Sequence, residues 1–96
     1  MLMINKRDFS RNIIDNEMFL LDSYNGIYYH LNSTANEMWI IMEKYDKKDF
    51  TIEQLGQLLA VSIKDKYQIS EQKAIEDTRK FVERMRDIGA ILFREG

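Results

Sequence analysis

Cysteine and proline are both absent from these 96 residues, and histidine and tryptophan occur once each. Without cysteine there is no disulfide, no thiolate metal site and no cysteine nucleophile. Without proline no backbone position is locked and no strand edge is blocked by one. One histidine cannot supply the usual zinc ligand set, and no H-x-x-x-H or E-x-x-H pattern surrounds His30. Neither sign of charge dominates: 14 Lys+Arg against 16 Asp+Glu leave a formal −2, which gives no general attraction to nucleic acid or an anionic membrane. No apolar run approaches the roughly 20 residues that span a bilayer. Met1-Leu2-Met3-Ile4 runs at once into Asn5-Lys6-Arg7-Asp8, unlike a signal peptide. G-x-x-x-x-G-K-[ST], G-x-G-x-x-G and G-x-S-x-G are missing, so nucleotide and hydrolase chemistries lack a motif. These absences predict a cytoplasmic, non-enzymatic single domain over residues 1–96, with no cofactor, no metal and no membrane or nucleic-acid partner; the length suffices for a core.

Among the features present, the most legible is FLLDSYNGIYYHLN, from Phe19 to Asn32, in which Asn25-Gly26 marks a β-hairpin. Two registers compete. A two-residue turn at Asn25-Gly26 sets Tyr24 opposite Ile27 and mixes apolar and polar side chains on both faces. A three-residue loop with Gly26 left-handed sets Ser23 opposite Ile27. Phe19, Leu21, Ile27, Tyr29 and Leu31 then share one face, with Leu20, Asp22, Tyr28 and His30 on the other. The second register is preferred. Upstream, part of Phe9–Ile14 reads as a first strand, and Asp15-Asn16 as a turn. Glu17–Asp22 is then the second strand and Ile27–Leu31 the third, in an antiparallel meander whose first and third strands are edges.

After Leu31 the apolar period changes from two to about 3.6. Thr34 and Glu37 have capping-box spacing, with Asn32 and Ser33 as competing caps, and Ala35, Met38, Trp39 and Met42 mark the inner face of a helix reaching Tyr45. Asp46–Asp49 is a polar connector. Thr51 and Gln54 form a second capping box, ahead of Ile52, Leu55, Leu58, Leu59 and Ile63. Ser70 caps a third helix with Glu71 in its first turn, and Gly89 suits its left-handed C-terminal cap. Ala74, Ile75, Thr78, Phe81, Val82, Met85 and Ile88 form the helix's apolar stripe. Ala90–Phe93 either adds a short strand or packs under the helices. The predicted fold class is α+β: an N-terminal three-stranded antiparallel sheet, then three helices, winged helix-turn-helix-like.

The carboxylates lie on helix surfaces, with Glu76 and Asp77 both spaced to pair with Lys80. Lys73, Arg79, Lys80, Arg84 and Arg86 give the third helix a basic component. Glu71, Glu76, Asp77, Glu83 and Asp87 are interleaved with them, unlike the unopposed stripe that meets phosphates. The third strand, Ile27-Tyr28-Tyr29-His30-Leu31, has high β-propensity and neither lysine nor proline to repel a further strand. Either a helix or the C-terminal tail covers it, or it is open and recruits an extended peptide by β-augmentation. A small winged-helix DNA-binding or regulatory protein is the alternative reading, and pairing of the open edge with a second copy is another.

Several motifs together resemble the PqqD family: Leu20-Leu21-Asp22, Gly26-x-Tyr28, Leu31-Asn32 before a helix with Met38-Trp39, Thr51 opening a second helix, Asp77-x-x-x-Phe81 in a third, and Ile88-Gly89-Ala90-Ile91. Their order and spacing run from about Glu17 to Leu92. The resemblance implies a recognition element for ribosomally made, post-translationally modified peptides. The precursor's leader peptide is expected to pair antiparallel with the third strand, its side chains entering a groove toward the third helix. Carried onto this sequence, Gly26, Ile27, Tyr28, Tyr29, His30 and Leu31 supply backbone, with Tyr28 and His30 directed toward the groove. The third helix contributes Ala74, Asp77, Thr78, Lys80, Phe81 and Arg84. The implied partners are a precursor leader peptide and a separate modifying enzyme: a radical-SAM protein, a cyclase or a leader peptidase.

Overall fold

The computed structural model describes residues 1–94. Eight elements follow in order: β1 (Leu2–Ile4), β2 (Phe9–Ile14), β3 (Glu17–Asp22), β4 (Ile27–Leu31), α1 (Ser33–Lys44), α2 (Ile52–Tyr67), α3 (Glu71–Asp87) and β5 (Ile91–Phe93). β2, β3 and β4 form the expected antiparallel meander. Two short strands join it: β1, where the sequence showed no strand signal, and β5, the strand alternative for Ala90–Phe93. They pair antiparallel with each other, Leu2 opposite Phe93 and Ile4 opposite Ile91.

Local chemistry accounts for most boundaries. Asp15 and Asn16 both have positive φ, the conformation of a two-residue hairpin turn, and they join Ile14 to its partner Glu17. Asn32 caps α1, its side chain accepting from the Ala35 amide. Thr34 instead lies inside the helix and donates its hydroxyl to Asn32, so the Thr34–Glu37 box does not form. The Thr51–Gln54 box does form: the Gln54 amide donates to Thr51 Oγ1 at 3.1 Å and the Thr51 amide to Gln54 Oε1 at 3.0 Å. Ser70 caps α3, and Gly89 follows it at φ +83°.

Neither expected register describes the β3–β4 hairpin. Asp22 pairs with Ile27, Leu20 with Tyr29 and Met18 with Leu31, across a four-residue loop, Ser23–Gly26. The cause is Asp22. Its Oδ1 accepts from the Tyr24 and Asn25 amides at 3.0 and 3.1 Å, its Oδ2 accepts from Asn25 Nδ2 at 2.7 Å, and its carbonyl accepts from the Gly26 amide. With its carboxylate satisfied by the loop, an aspartate can stand on the inner face, where it is 2% exposed. Relative to the preferred register, β3 therefore slips by one residue and its side chains exchange faces. Leu20 enters the core at 0% exposure, while Phe19 and Leu21 stay half-buried outside. The division of β4 is unaffected: Tyr29 and Leu31 pack inward, and Tyr28 and His30 face out.

The core joins Leu20 and Leu31 of the sheet to Trp39 and Met42 of α1, Leu55, Leu59 and Ile63 of α2, and Phe81 and Met85 of α3. Leu2 and Ile91 close it from the β1–β5 pair.

Candidate functional site

β4 has β3 on one side and, among the described residues, no strand on the other. Its open side presents main-chain donors and acceptors in a row, and its five residues include no lysine, proline or glycine. Of the predicted covers, the C-terminal strand β5 is committed to β1 and does not pair with β4. The edge is available for a further strand.

Helix α3 runs near this edge, and one contact fixes which flank it turns to β4. The Arg84 guanidinium lies over the Tyr29 ring, 5.4 Å from its centroid. Asp77 is seven residues earlier, hence only about 20° from Arg84 around the helix, and shares that flank. Asp77 pairs with Lys73 at 3.2 Å, one turn back, instead of with Lys80. Lys80 pairs with Glu76 at 2.9 Å, and that hydrogen bond holds the Glu76 carboxyl below the usual glutamate range. Phe81 is buried in the core cluster and anchors this flank.

The expected site residues separate into three sets. Ile27, Tyr29, Asp77 and Arg84 lie at the open edge or on the helix flank facing it, with Leu31 and Phe81 buried beneath as the floor. Gly26, at φ +69°, ends the loop, and its amide is already used by Asp22. Tyr28 and His30, expected toward the groove, have exposed side chains on the outer face of the sheet. Both rings meet Phe19 edge-on, at 6.2 and 5.3 Å between centroids, and His30 Nε2 lies 3.6 Å from Glu17. Tyr29, read only as backbone, takes the inward place instead, because alternation sends successive side chains to opposite faces. Ala74 and Thr78 are buried toward α2. Thr78 lies at a cleft of about 610 Å³ with Gly56, Ala60 and Val82, its hydroxyl without a hydrogen bond. Lys80 projects to solvent.

Two residues escaped the sequence reasoning. Phe19 organises the outer face but was assigned inward through the register error. Lys73 holds Asp77, and its i, i+4 spacing was a signal present in the sequence.

The arrangement offers unpaired main-chain groups along the open side of β4 and few reactive side chains. Among the described residues no group of three His, Cys, Asp or Glu could hold a metal ion, and no helix is long and apolar enough to cross a membrane. Three basic residues of α3, Lys73, Arg79 and Lys80, are each met by a carboxylate one turn away. That leaves the helix without the unopposed positive stripe of a DNA reader.

A search of curated protein sequences finds no match. Two solved structures share the fold. One is TbiB1 in complex with the TbiA(beta) leader peptide, with a TM-score of 0.71 and 18% identity over 98% of this chain and 99% of that one. The other is a lasso peptide synthetase B1 complexed with the leader peptide, with a TM-score of 0.71 and 20% identity over 96% of this chain and 98% of that one. The sequence profile of coenzyme PQQ synthesis protein D (PqqD) matches residues 17–91, which span β3 and β4 of the meander, the three helices and the start of β5. With most of its length matched, from the β3 that carries Asp22 to the strand that closes the core, the chain belongs to the PqqD family.

Proposed function

We propose that this protein binds the leader peptide of a ribosomally synthesised, post-translationally modified precursor and presents it to a separate modifying enzyme or leader peptidase. The observation that carries the reading is β4: an uncovered aromatic edge strand without lysine or proline, with the Arg84 flank of α3 beside it. A leader lying antiparallel to Gly26–Leu31 completes the sheet with main-chain hydrogen bonds, and its alternate side chains enter the space between β4 and α3. Family membership and the leader peptides held by the two similar structures support the same reading.

The energetics are adequate. Two apolar leader side chains desolvated on Tyr29 and Phe81 contribute about 1.5–3 kcal/mol each. Strand pairing adds to this and the ordering of the peptide subtracts, which places affinity on the order of micromolar or tighter. Presentation needs no catalytic residue; the tethered leader raises the concentration of the core peptide at the enzyme.

Titration of the precursor's leader, as a synthetic peptide, by calorimetry and by NMR of the labelled protein tests this. Shifts are expected in Gly26–Leu31 and along the Asp77–Arg84 flank of α3. Binding that leaves both regions unperturbed sinks the site, and self-association seen by light scattering in place of binding favours edge pairing between copies.

A further inference from the structure

Resting on the leader-binding reading, we propose that Arg84 selects leaders that carry a carboxylate side chain, Asp or Glu, on the residue paired with Tyr29. The inference starts from how α3 disposes of its positive charge. Lys73, Arg79 and Lys80 each have a carboxylate within 3.3 Å on the same helix. Arg86 lies on the opposite flank, over Phe93 at 5.9 Å. Arg84 lies against β4 with the Tyr29 ring as its neighbour, and, unlike Lys73 and Lys80 on the same flank, no carboxylate meets it among the described residues.

The cation–π contact with Tyr29 uses the charge of the guanidinium and none of its N–H donors, and no acceptor within the described residues takes them. The in-plane N–H fork stays open, and a carboxylate is the group that it fits in bidentate geometry. Tyr29 is central in β4 and its side chain is on the helix side. In an antiparallel ladder the leader residue directly opposite Tyr29 points to that same side, with Cβ atoms about 5 Å apart. An Asp or Glu there comes within reach of Arg84 and is partly desolvated between strand and helix. Asp77 lies roughly 10 Å further along α3, already neutralised by Lys73, so the groove carries one unmet positive charge and it is at the Tyr29 level. Leader residues opposite Tyr28 and His30 face the other way, on the outer face of the sheet, and escape this selection.

The test is a charge swap with the precursor's leader made as a synthetic peptide, together with versions in which each Asp or Glu is replaced in turn by its amide. One replacement is expected to weaken binding to the wild-type protein by about tenfold, the size of one charge-assisted contact. R84Q loses the same factor against the unaltered leader and nothing further against that amide version. R84E restores affinity for a leader with Lys at the same position. Thermal unfolding of both variants establishes that they are folded. Wild-type binding through β4 that is indifferent to every carboxylate, or a leader with none in the paired strand, overturns the inference and leaves the leader reading intact. An equal loss with R84Q for both peptides also overturns it, since Arg84 then acts only by holding Tyr29. No leader binding by the wild-type protein overturns both.

Discussion

Asp22 shows how much one side chain decides. Its carboxylate closes the β3–β4 loop through three hydrogen bonds, and the loop length sets which side chains of β3 are inside. The hydrogen bond from the Asn25 side chain, against the opposing effect of burial and with help from the Asn25 and Tyr24 amides, holds the Asp22 carboxyl below the usual aspartate range. A carboxyl whose pKa is lowered by folding contributes stability that is present above the unfolded value of about 3.9 and is lost as pH falls through the folded one. Asp22→Asn is therefore expected to unfold at a lower temperature than the parent at pH 7. The gap should narrow as pH drops below the carboxylate range, as read by circular dichroism melts across pH. At the other end of the chain Gly89 sits at φ +83° with open space where a Cβ would go, so a side chain there meets strain and not a clash. Gly89→Ala is expected to cost about 1 kcal/mol in denaturant unfolding.

Among elements, β4 and α3 divide the work. The strand offers main-chain partners and the helix offers a charged flank joined to it at Arg84 and Tyr29. Asp77 is outside the core cluster and its carboxylate is half-buried beside a lysine that is itself exposed, so Asp77→Ala should change stability by about 1 kcal/mol or less. Its effect on the leader complex should be larger, a several-fold weaker dissociation constant by calorimetry. An unchanged constant would remove Asp77 from the groove. Hydrogen exchange gives the matching element-level readout: leader addition should slow exchange of the β4 amides that point away from β3, and leave β2, the far edge, as it was.

For the molecule as a whole, the pairing of β1 with β5 ties residues from the two ends of the described chain into one lid on the core. Leu2 is 0% exposed, and the Leu2 amide and carbonyl bond to Lys48 and Lys47 in the α1–α2 connection. Asp46 in the same connection accepts from the Ile4 amide at 2.8 Å and from Lys6 at 3.1 Å. Burial opposes its charge, but those two partners prevail and its carboxyl is held below the usual range. Leu2→Ala is expected to destabilise the protein by about 2–4 kcal/mol in urea unfolding, a core-sized loss from the second residue of the chain. A loss under 1 kcal/mol would mean that the β1–β5 pair is peripheral.

The sequence by itself determined the elements whose signals are local. The turn residues Asp15-Asn16, the caps Thr51, Ser70 and Gly89, and the change of apolar period after Leu31 placed the meander and three helices, and the motif order from Glu17 to Leu92 anticipated the matched span 17–91. Only the tertiary structure decided the rest. Met1-Leu2-Met3-Ile4 is too short to carry a period, and becomes a strand because Ile91–Phe93 is there to pair with it. The hairpin register hung on hydrogen bonds to the Asp22 side chain, which a count of apolar positions does not include. Which flank of α3 faces β4 is a matter of packing between elements distant in the chain, visible only once Arg84 is seen over Tyr29. Local propensity is written residue by residue; faces and neighbours are set by how whole elements meet.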